Sequence, residues 1–373
     1  MLLRKAATTA ATVVGAGAAV LAAGRYAGDA ALKIPPDRPL PGEERCTVHG
    51  ADTATVTLSR TAASVRPGTY ALVGKDLHAI VGPPVAEVAH PPDRVVRHLR
   101  RLVHGALDPG TKVWLSPQLY PGNPRDALGL DHSDVQVEGE LGPLPAWFLP
   151  GPRDTWVITV HGLGATRRQA MALLPFLHRL RLPVLAPALR GDPGAPPALD
   201  GINRLGAEEW HDVDAAIGHA VRNGARRVVL HGWSTGATMA LLAALDSPLS
   251  HRISGLVLDS PVLDWQATLR ALARHRVPRA LVPYAVRAAR HRAGLDPGLL
   301  LRAGEPDKLL VPTLILHGPD DALAPWERSR ELAERRPGLV TLRSVREAPH
   351  AAAWNADPHR YEEALRRFLT PLM

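Results

Sequence analysis

The sequence predicts an α/β protein in which helices cover both faces of a mostly parallel sheet, preceded by a smaller β-rich module. Three observations support this fold class. From residue 135 onward, buried-strand runs alternate with amphipathic or alanine-rich segments, which is the pattern of repeated βα units. Residues 136–148 alternate about a glycine turn, as a β-hairpin does. Before them, residues 46–131 carry short β-type runs separated by proline and glycine.

The α/β part, assigned to residues 134–373, can be divided into elements from its apolar pattern. Strands are predicted at residues 156–160, 183–185, 228–230, 255–258, 313–316 and 339–345, and helices at residues 167–180, 206–221 and 237–245. The last helix is the clearest, because Asp357 can cap it and Pro358 suits its first turn. Its apolar face would consist of Tyr361, Leu365, Phe368 and Leu369.

The β-rich module is assigned to residues 45–133. Its strands are predicted at residues 55–58 and 79–81, and one helix at residues 95–102. Many histidines lie in the module, among them His78, His90, His98 and His104. They lack the spacing of metal ligands and are interpreted as surface or core residues.

Composition excludes several classes of protein. Of the 373 residues, 46% are hydrophobic and 21% charged, so the chain can bury a sizeable core and wholesale disorder is excluded. The single cysteine, Cys46, excludes an intramolecular disulfide and a cysteine-rich metal site. The net charge is +8, but the basic residues are scattered from end to end, so we predict no nucleic-acid partner.

A G-x-S-x-G turn follows the strand predicted at residues 228–230, formed by residues 232–236 around Ser234. A buried strand before such a turn and a helix after it are the context of a nucleophile elbow. That geometry would place Ser234 above the carboxyl edge of the sheet, over the N-terminus of the following helix. We therefore predict Ser234 as a nucleophile; an ordinary structural turn is the alternative.

A serine hydroxyl needs a histidine to accept its proton and a carboxylate to orient that histidine. The loop after residues 313–316 contains Asp320 and Asp321. Asp321 is the predicted acid, while Asp320 would shape the turn and remains the first alternative. Asp259, after the strand at residues 255–258, is the second.

His350 is the predicted base. It follows the strand at residues 339–345 and precedes the final helix, which places it on a loop at the end of the last strand. His161, His231 and His317 each lie at a strand end directly before glycine. They are expected to brace loops through hydrogen bonds, and each remains an alternative base.

A tetrahedral intermediate needs two N–H donors directed at its oxyanion. Thr235, directly after the nucleophile, is predicted to supply one of them. Leu163, in the glycine-rich turn at residues 160–164, is predicted to supply the other. An ordinary strand-to-helix turn is the alternative interpretation of residues 160–164.

Taken together, these motifs resemble the α/β-hydrolase superfamily over residues 135–372: His161-Gly162, the turn around Ser234, His317-Gly318 with Asp321, and His350. They are similar to a bacterial group that includes S9/S33-type serine peptidases, dienelactone-hydrolase-like enzymes and esterases. Residues 348–361 resemble the C-terminal block of actinobacterial members with an N-terminal hydrophobic segment. One departure is Thr235, where many relatives carry Met or Gln. The resemblance does not extend to residues 45–130.

The resemblance implies a serine hydrolase of ester or amide bonds that uses an acyl-enzyme and no metal or organic cofactor. A small-molecule, acyl or peptide substrate is expected, with an esterase placed before a peptidase. A non-catalytic binding protein of the same fold is the rival interpretation. The arginine-rich helical segment at about residues 262–308 is interpreted as a cap over the active site. The oligomeric state is not predicted.

The N-terminus predicts an export signal or membrane anchor over residues 1–33. Arg4 and Lys5 precede an uncharged stretch, residues 6–24, long enough for a signal-peptide core or a marginal membrane span. Residues 34–44 contain four prolines and are expected to form a stiff spacer. We expect one N-terminal anchor in the cell membrane with the following domain outside the cytoplasm. A cleaved, secreted form and a disordered tail on a cytoplasmic protein are the alternatives.

Overall fold

The computed structural model describes residues 38–86, 90–295 and 308–373, together with the single residues Tyr26, Asp29, Leu32 and Pro35. The described residues form two sheets: a closed barrel and an eight-stranded sheet covered by helices.

The β-rich module is a six-stranded antiparallel barrel, called here the N-terminal barrel. Its strands are β1 (Cys46–Ala51), β2 (Thr55–Ser59), β3 (Tyr70–Gly74), β4 (Leu77–Pro84), β5 (Arg94–His104) and β6 (Lys112–Ser116). They follow one another around the barrel in the order β1-β2-β5-β4-β3-β6. Closure gives every strand two neighbours and leaves no sheet edge. The interior is apolar and includes Val48, Val56 and Leu72.

The helix predicted at residues 95–102 is wrong, because these residues lie within β5. This strand pairs with β2 on one side and with β4 on the other. The register between β4 and β5 shifts at several points, so exposed and buried side chains do not alternate strictly along β5. That irregularity removes the period of two by which a strand is recognised in a sequence.

The second sheet confirms the predicted α/β fold class. Its strands are β7 (Ser133–Gly139), β8 (Gly142–Leu149), β9 (Thr155–Val160), β10 (Val184–Pro187), β11 (Arg227–Trp233), β12 (Ile253–Asp259), β13 (Thr313–His317) and β14 (Val340–Ser344). Their order is β14-β13-β12-β11-β9-β10-β8-β7. The β7–β8 hairpin and the β8–β10 pair are antiparallel, while β10, β9, β11, β12, β13 and β14 pair in parallel. Alternate residues of these strands contribute to an apolar core on each face of the sheet.

The described helices are α1 (Pro124–Leu128), α2 (Leu174–Arg179), α3 (Trp210–Arg222), α4 (Thr235–Asp246), α5 (Trp265–Arg274), α6 (Val282–Arg292), α7 (Trp326–Arg335), α8 (Ala353–Ala356) and α9 (Pro358–Leu369). The helix predicted at residues 167–180 is divided into a 3₁₀ turn, Arg167–Ala172, and α2. Pro175 explains the division, since it has no N–H for a helical hydrogen bond with the preceding turn. In α9, the Asp357 side chain accepts a hydrogen bond from the Arg360 N–H, as predicted for the cap.

Helices α5 and α6 belong to the segment interpreted as a cap, of which residues 296–307 lie outside the described residues. The two helices bury the apolar faces expected from the sequence; the buried residues include Trp265, Leu269, Leu272, Val282, Val286 and Ala289. Thr268 of α5 donates a hydrogen bond to the Leu323 carbonyl at 3.0 Å. The segment therefore contacts the loop that follows β13.

The stretch at residues 6–24 lies outside the described residues, but positions that follow it contact the folded part. Leu32 is 1% exposed and belongs to a core cluster of the large sheet. Asp29 pairs with Arg292 at the end of α6, at 3.3 Å. The Glu43 N–H donates to the Leu40 carbonyl and closes a turn. Within the described ranges, no helix combines the length and apolarity that crossing a membrane requires.

Candidate active site

Ser234 occupies the sharp turn between β11 and α4, at the carboxyl edge of the sheet. Its backbone has φ 53° and ψ −121°, a conformation that costs a non-glycine residue about 1–3 kcal/mol. The Ser234 N–H donates to the Asp259 carbonyl of the neighbouring strand at 2.9 Å, which helps to hold the turn. The strained geometry is that of a nucleophile elbow.

The two glycines of the elbow are required by close backbone approach. A Cβ atom added to Gly236 would lie 2.1 Å from the carbonyl oxygen of Val160. A Cβ on Gly232 would lie 2.4 Å from the carbonyl oxygen of Gly236. Both distances are shorter than two non-bonded atoms can approach, so a side chain at either position would clash with the backbone. The G-x-S-x-G pattern therefore reflects the close packing of α4 against the sheet.

The three predicted catalytic side chains form an unbroken chain of hydrogen bonds. The Ser234 Oγ lies 2.7 Å from the His350 Nε2, and the His350 Nδ1 lies 2.7 Å from the Asp321 Oδ2. An ionised carboxylate can only accept, so the Nδ1 carries the proton and the Nε2 is left to accept the serine proton. This arrangement can deprotonate the Ser234 hydroxyl as it attacks a carbonyl carbon.

Asp321 is held rigidly by the loop that contains it. Its Oδ1 accepts the N–H groups of Leu323 and Ala324 at 2.8 and 2.9 Å. The His317 Nε2 donates to its Oδ2 at 3.2 Å, while the His317 Nδ1 accepts from the Ser329 hydroxyl at 2.8 Å. His317 therefore braces the acid, as the sequence suggested for histidines at strand ends.

The glycine-rich turn after β9 lies against the nucleophile. A Cβ on Gly162 would lie 2.8 Å from the Cβ of Ser234, and the Gly162 N–H donates to the Gln169 side chain at 2.9 Å. Leu163 and Thr235, the predicted oxyanion donors, both line a pocket of about 410 Å³. Among the described residues, no acceptor takes a hydrogen bond from either backbone N–H.

Comparison with known proteins agrees with this architecture. Residues 155–281 match a family model described as the alpha/beta hydrolase fold. Esterase Pf2001 from Pyrococcus furiosus superposes with a TM-score of 0.55 at 22% identity, covering 67% of this chain and 96% of that one. A second crystal form of that esterase gives a TM-score of 0.56 at 22% identity, over 68% and 94% of the two chains. This chain has the α/β-hydrolase fold.

Two further matches concern parts of the chain. The uncharacterized protein YqkD from Bacillus subtilis is 29% identical to this chain over 143 residues. That match spans 38% of this chain and 47% of YqkD, or about half the length of the relative. Residues 47–116 match a family model described as a domain of unknown function, DUF8805. This second match corresponds to the N-terminal barrel.

The alternative acids of the α/β-hydrolase site have different environments. Asp320 is exposed to solvent. Asp259 is fully buried at the end of β12, where its Oδ1 accepts from the Ser260 hydroxyl at 3.0 Å. Burial raises the pKa of Asp259 to about 7. Of the three candidate acids, the structure brings Asp321 into hydrogen-bond contact with His350.

The alternative bases are engaged elsewhere. The His161 Nε2 bonds to the Asp192 carboxylate at 2.6 Å, which supports the loop after β10. The His231 Nε2 bonds to the Tyr361 hydroxyl of α9 at 2.9 Å. Burial lowers the pKa of His231 to about 3, so this histidine is neutral near pH 7.

The charges of the Asp321–His350 pair stabilise each other. Burial alone would raise the pKa of Asp321, but the attraction of His350 and the hydrogen bonds from both histidines outweigh it and lower that pKa. Burial alone would lower the pKa of His350, but the attraction and hydrogen bond of Asp321, followed by the charges of Asp259 and Glu43, raise it. The site is therefore built to stabilise an imidazolium.

Two residues near this site were missed by the sequence analysis. Glu43 is half-buried close enough to His350 for their charges to interact, and burial raises its pKa to about 7. Asn355 is 4% exposed and bonds to the N-terminal barrel. Both belong to contacts between distant parts of the chain, for which the local sequence carries no signal.

Proposed function

We propose that this protein is a serine hydrolase that cleaves carboxylic esters through an acyl-enzyme. The observation that carries the proposal is the hydrogen-bond chain from Ser234 through His350 to Asp321, with the serine on a strained elbow. A nucleophile, a base and an orienting acid linked in this way, together with the N–H groups of Leu163 and Thr235, supply every group that acyl transfer requires.

In the proposed reaction, the Ser234 Oγ attacks the ester carbonyl carbon while its proton passes to the His350 Nε2. Asp321 stabilises the imidazolium that forms, and the N–H groups of Leu163 and Thr235 bind the oxyanion. His350 then donates the proton to the leaving alkoxide oxygen, which departs as the alcohol. A water molecule, deprotonated by His350, hydrolyses the acyl-enzyme and releases the carboxylic acid.

The lining of the pocket beside Leu163 and Thr235 favours the binding of an uncharged acyl group. Its charged side chains are already paired: His161 with Asp192, and Arg190 with Asp212 at 2.7 Å. The apolar lining comes from four segments of the chain and consists of Leu32, Pro35, Leu163, Ala165, Leu189, Ala195, Pro197, Ala198, Ile202 and Met239. A mostly apolar pocket with few polar groups suits an alkyl chain better than a charged substrate.

Filling this pocket is expected to shorten the accepted acyl chain. Replacing Ala198, which lines the pocket, by tryptophan should lower kcat/KM for p-nitrophenyl octanoate at least about 10-fold and leave acetate within about twofold. The matched control is Leu199→Trp, because Leu199 is 70% exposed and does not line the pocket. Equal kcat/KM values of the Ala198→Trp variant and the wild type for octanoate would show that acyl chains bind elsewhere.

A paired panel of acyl esters and aminoacyl arylamides distinguishes esterase activity from amidase activity. We expect ester turnover to dominate, since the charged side chains that line the pocket are each already paired, His161 with Asp192 and Arg190 with Asp212. Arylamidase activity without esterase activity would reverse the order and favour a serine peptidase. A non-catalytic binding protein would turn over neither panel and would not react with a fluorophosphonate probe at Ser234.

We propose further that residues 1–33 export the hydrolase domain and hold it at the outer face of the cytoplasmic membrane. The order of two positive residues and then an uncharged stretch supports this orientation. Alkaline phosphatase fused after residue 45 is expected to be active, because that reporter folds to its active form only outside the cytoplasm. An inactive fusion that is expressed at a normal level would contradict export, and fractionation would separate an anchored from a secreted form.

A further inference from the structure

We propose that the N-terminal barrel holds His350 in its reactive position by binding Asn355, which makes Asn355 a positioning residue. The inference rests on the proposed function of His350 and assigns a role to the barrel. His350 lies in the segment between β14 and α8, residues 345–352, called here the histidine loop. Asn355 follows in α8.

Asn355 makes three hydrogen bonds to the barrel. Its side-chain N–H groups donate to the carbonyl oxygens of Thr69 and Pro117, at 2.9 and 3.0 Å. Its own backbone carbonyl accepts the Thr69 N–H at 2.9 Å. Both side-chain partners are acceptors, so the orientation of the amide group is fixed by its surroundings. A single residue is thereby attached to two separate segments of the barrel.

The barrel surface that binds Asn355 is itself held from within. Gly68 has φ +89°, and a Cβ atom there would lie 2.0 Å from the Asn355 carbonyl oxygen. Arg97, a fully buried residue of β5, donates hydrogen bonds to the carbonyl oxygens of Ser64, Arg66 and Gly68. The hydrogen bonds from Arg97 therefore fix the shape of residues 64–68, the segment that approaches Asn355, independently of the contact with Asn355.

The histidine loop is held at both ends and strained between them. On the sheet side, the Val345 N–H donates to the His317 carbonyl at 2.9 Å. On the barrel side, Ala352 is 1% exposed and packs into the apolar cluster of the barrel. Between them, Glu347 and Ala351 have φ of +58° and +53°. Left-handed backbone at two non-glycine residues persists only where the surroundings impose it.

These contacts predict which kinetic constant depends on Asn355. Releasing the barrel side would let the strained loop relax and move His350 away from Ser234 and Asp321, each now at 2.7 Å. Asn355 and Gly68 do not line the pocket beside the oxyanion donors. The chemical step should therefore slow while substrate binding is retained.

The test compares Asn355→Ala with the wild-type full-length chain. We expect kcat for p-nitrophenyl esters to fall about 10–100-fold, with KM within about twofold. Fluorophosphonate labelling of Ser234 should slow by a similar factor. In the folded variant, the far-downfield proton resonance of a His350 Nδ1–H bonded to a carboxylate should broaden or disappear. Gly68→Ala should give the same pattern, because its added Cβ atom would clash with the Asn355 carbonyl oxygen.

The matched control is Val56→Ala, which removes buried volume from the barrel core without touching Asn355. It should lower the unfolding temperature and leave kcat unchanged. Wild-type kcat in both Asn355→Ala and Gly68→Ala, or an equal loss of kcat in Val56→Ala, would overturn the proposal. If Asn355→Ala does not fold, Gly68→Ala decides by the same measurements. A wild-type chain without turnover or labelling would refute the hydrolase function, while the proton resonance would still test the barrel contact.

Discussion

Replacing Ser234 by alanine is expected to lower kcat for short p-nitrophenyl esters by a factor of about 10⁴–10⁶. The variant keeps the oxyanion donors and the pocket but loses the atom that bonds to the acyl carbon. The fold should be retained, because the Ser234 hydroxyl bonds to His350 while the elbow is held by backbone hydrogen bonds that alanine keeps. Alanine also meets the same positive φ as serine, so the strain of the elbow changes little.

The matched control is Ser254→Ala on β12, whose hydroxyl donates to the Val228 carbonyl away from the site. It should retain turnover within about twofold. Active-site titration with a fluorophosphonate, followed by peptide mass analysis, should locate one label on Ser234. An unchanged rate in the folded Ser234→Ala variant would show that another residue is the nucleophile.

The parts of the site that are formed by residues close together in the sequence could be predicted. The elbow is a strand, a five-residue turn and a helix, so Ser234 and Thr235 are recognisable within about ten residues. The choice of Asp321 over Asp320 is not local in the same way. Asp320 is exposed, whereas Asp321 turns inward because the N–H groups of Leu323 and Ala324 bind its Oδ1.

The contacts between the barrel and the hydrolase domain could not be predicted. Thr69 and Asn355 are 286 residues apart, and no periodicity relates them. The same reasoning applies to β5, whose two partners lie elsewhere in the module and whose irregular register hides its alternation. Leu32, near the end of the predicted signal or anchor segment, buries its side chain against the hydrolase domain, a contact that no local pattern indicates. Long-range packing decided each of these points.

Replacing Asp321 by asparagine is expected to lower kcat by about 10³–10⁴-fold. The asparagine amide can present an N–H to the His350 Nδ1, which favours the tautomer that carries its proton on the Nε2. That nitrogen can then no longer accept the serine proton. Asp320→Asn is the matched control, since it removes a neighbouring exposed carboxylate from the same loop.

The pH profile should separate this electrostatic effect from a loss of geometry. In the wild type, attraction by Asp321 holds the pKa of His350 above its ordinary value of 6.5. The base must be neutral to act, so the acidic limb of kcat/KM should lie above pH 6.5 and activity should fall as the pH decreases through it. In the Asp321→Asn variant the attraction is lost while burial remains, so this limb should move to lower pH.

Asp259 and Glu43 also influence the pKa of His350, and their own pKa values are both raised to about 7. Their charges remain in the Asp321→Asn variant, so they limit the size of the downward movement without reversing it. Asp320→Asn should keep the wild-type limb. An Asp321→Asn variant with wild-type kcat, or with its acidic limb moved upward, would show that Asp321 does not orient and stabilise the His350 imidazolium.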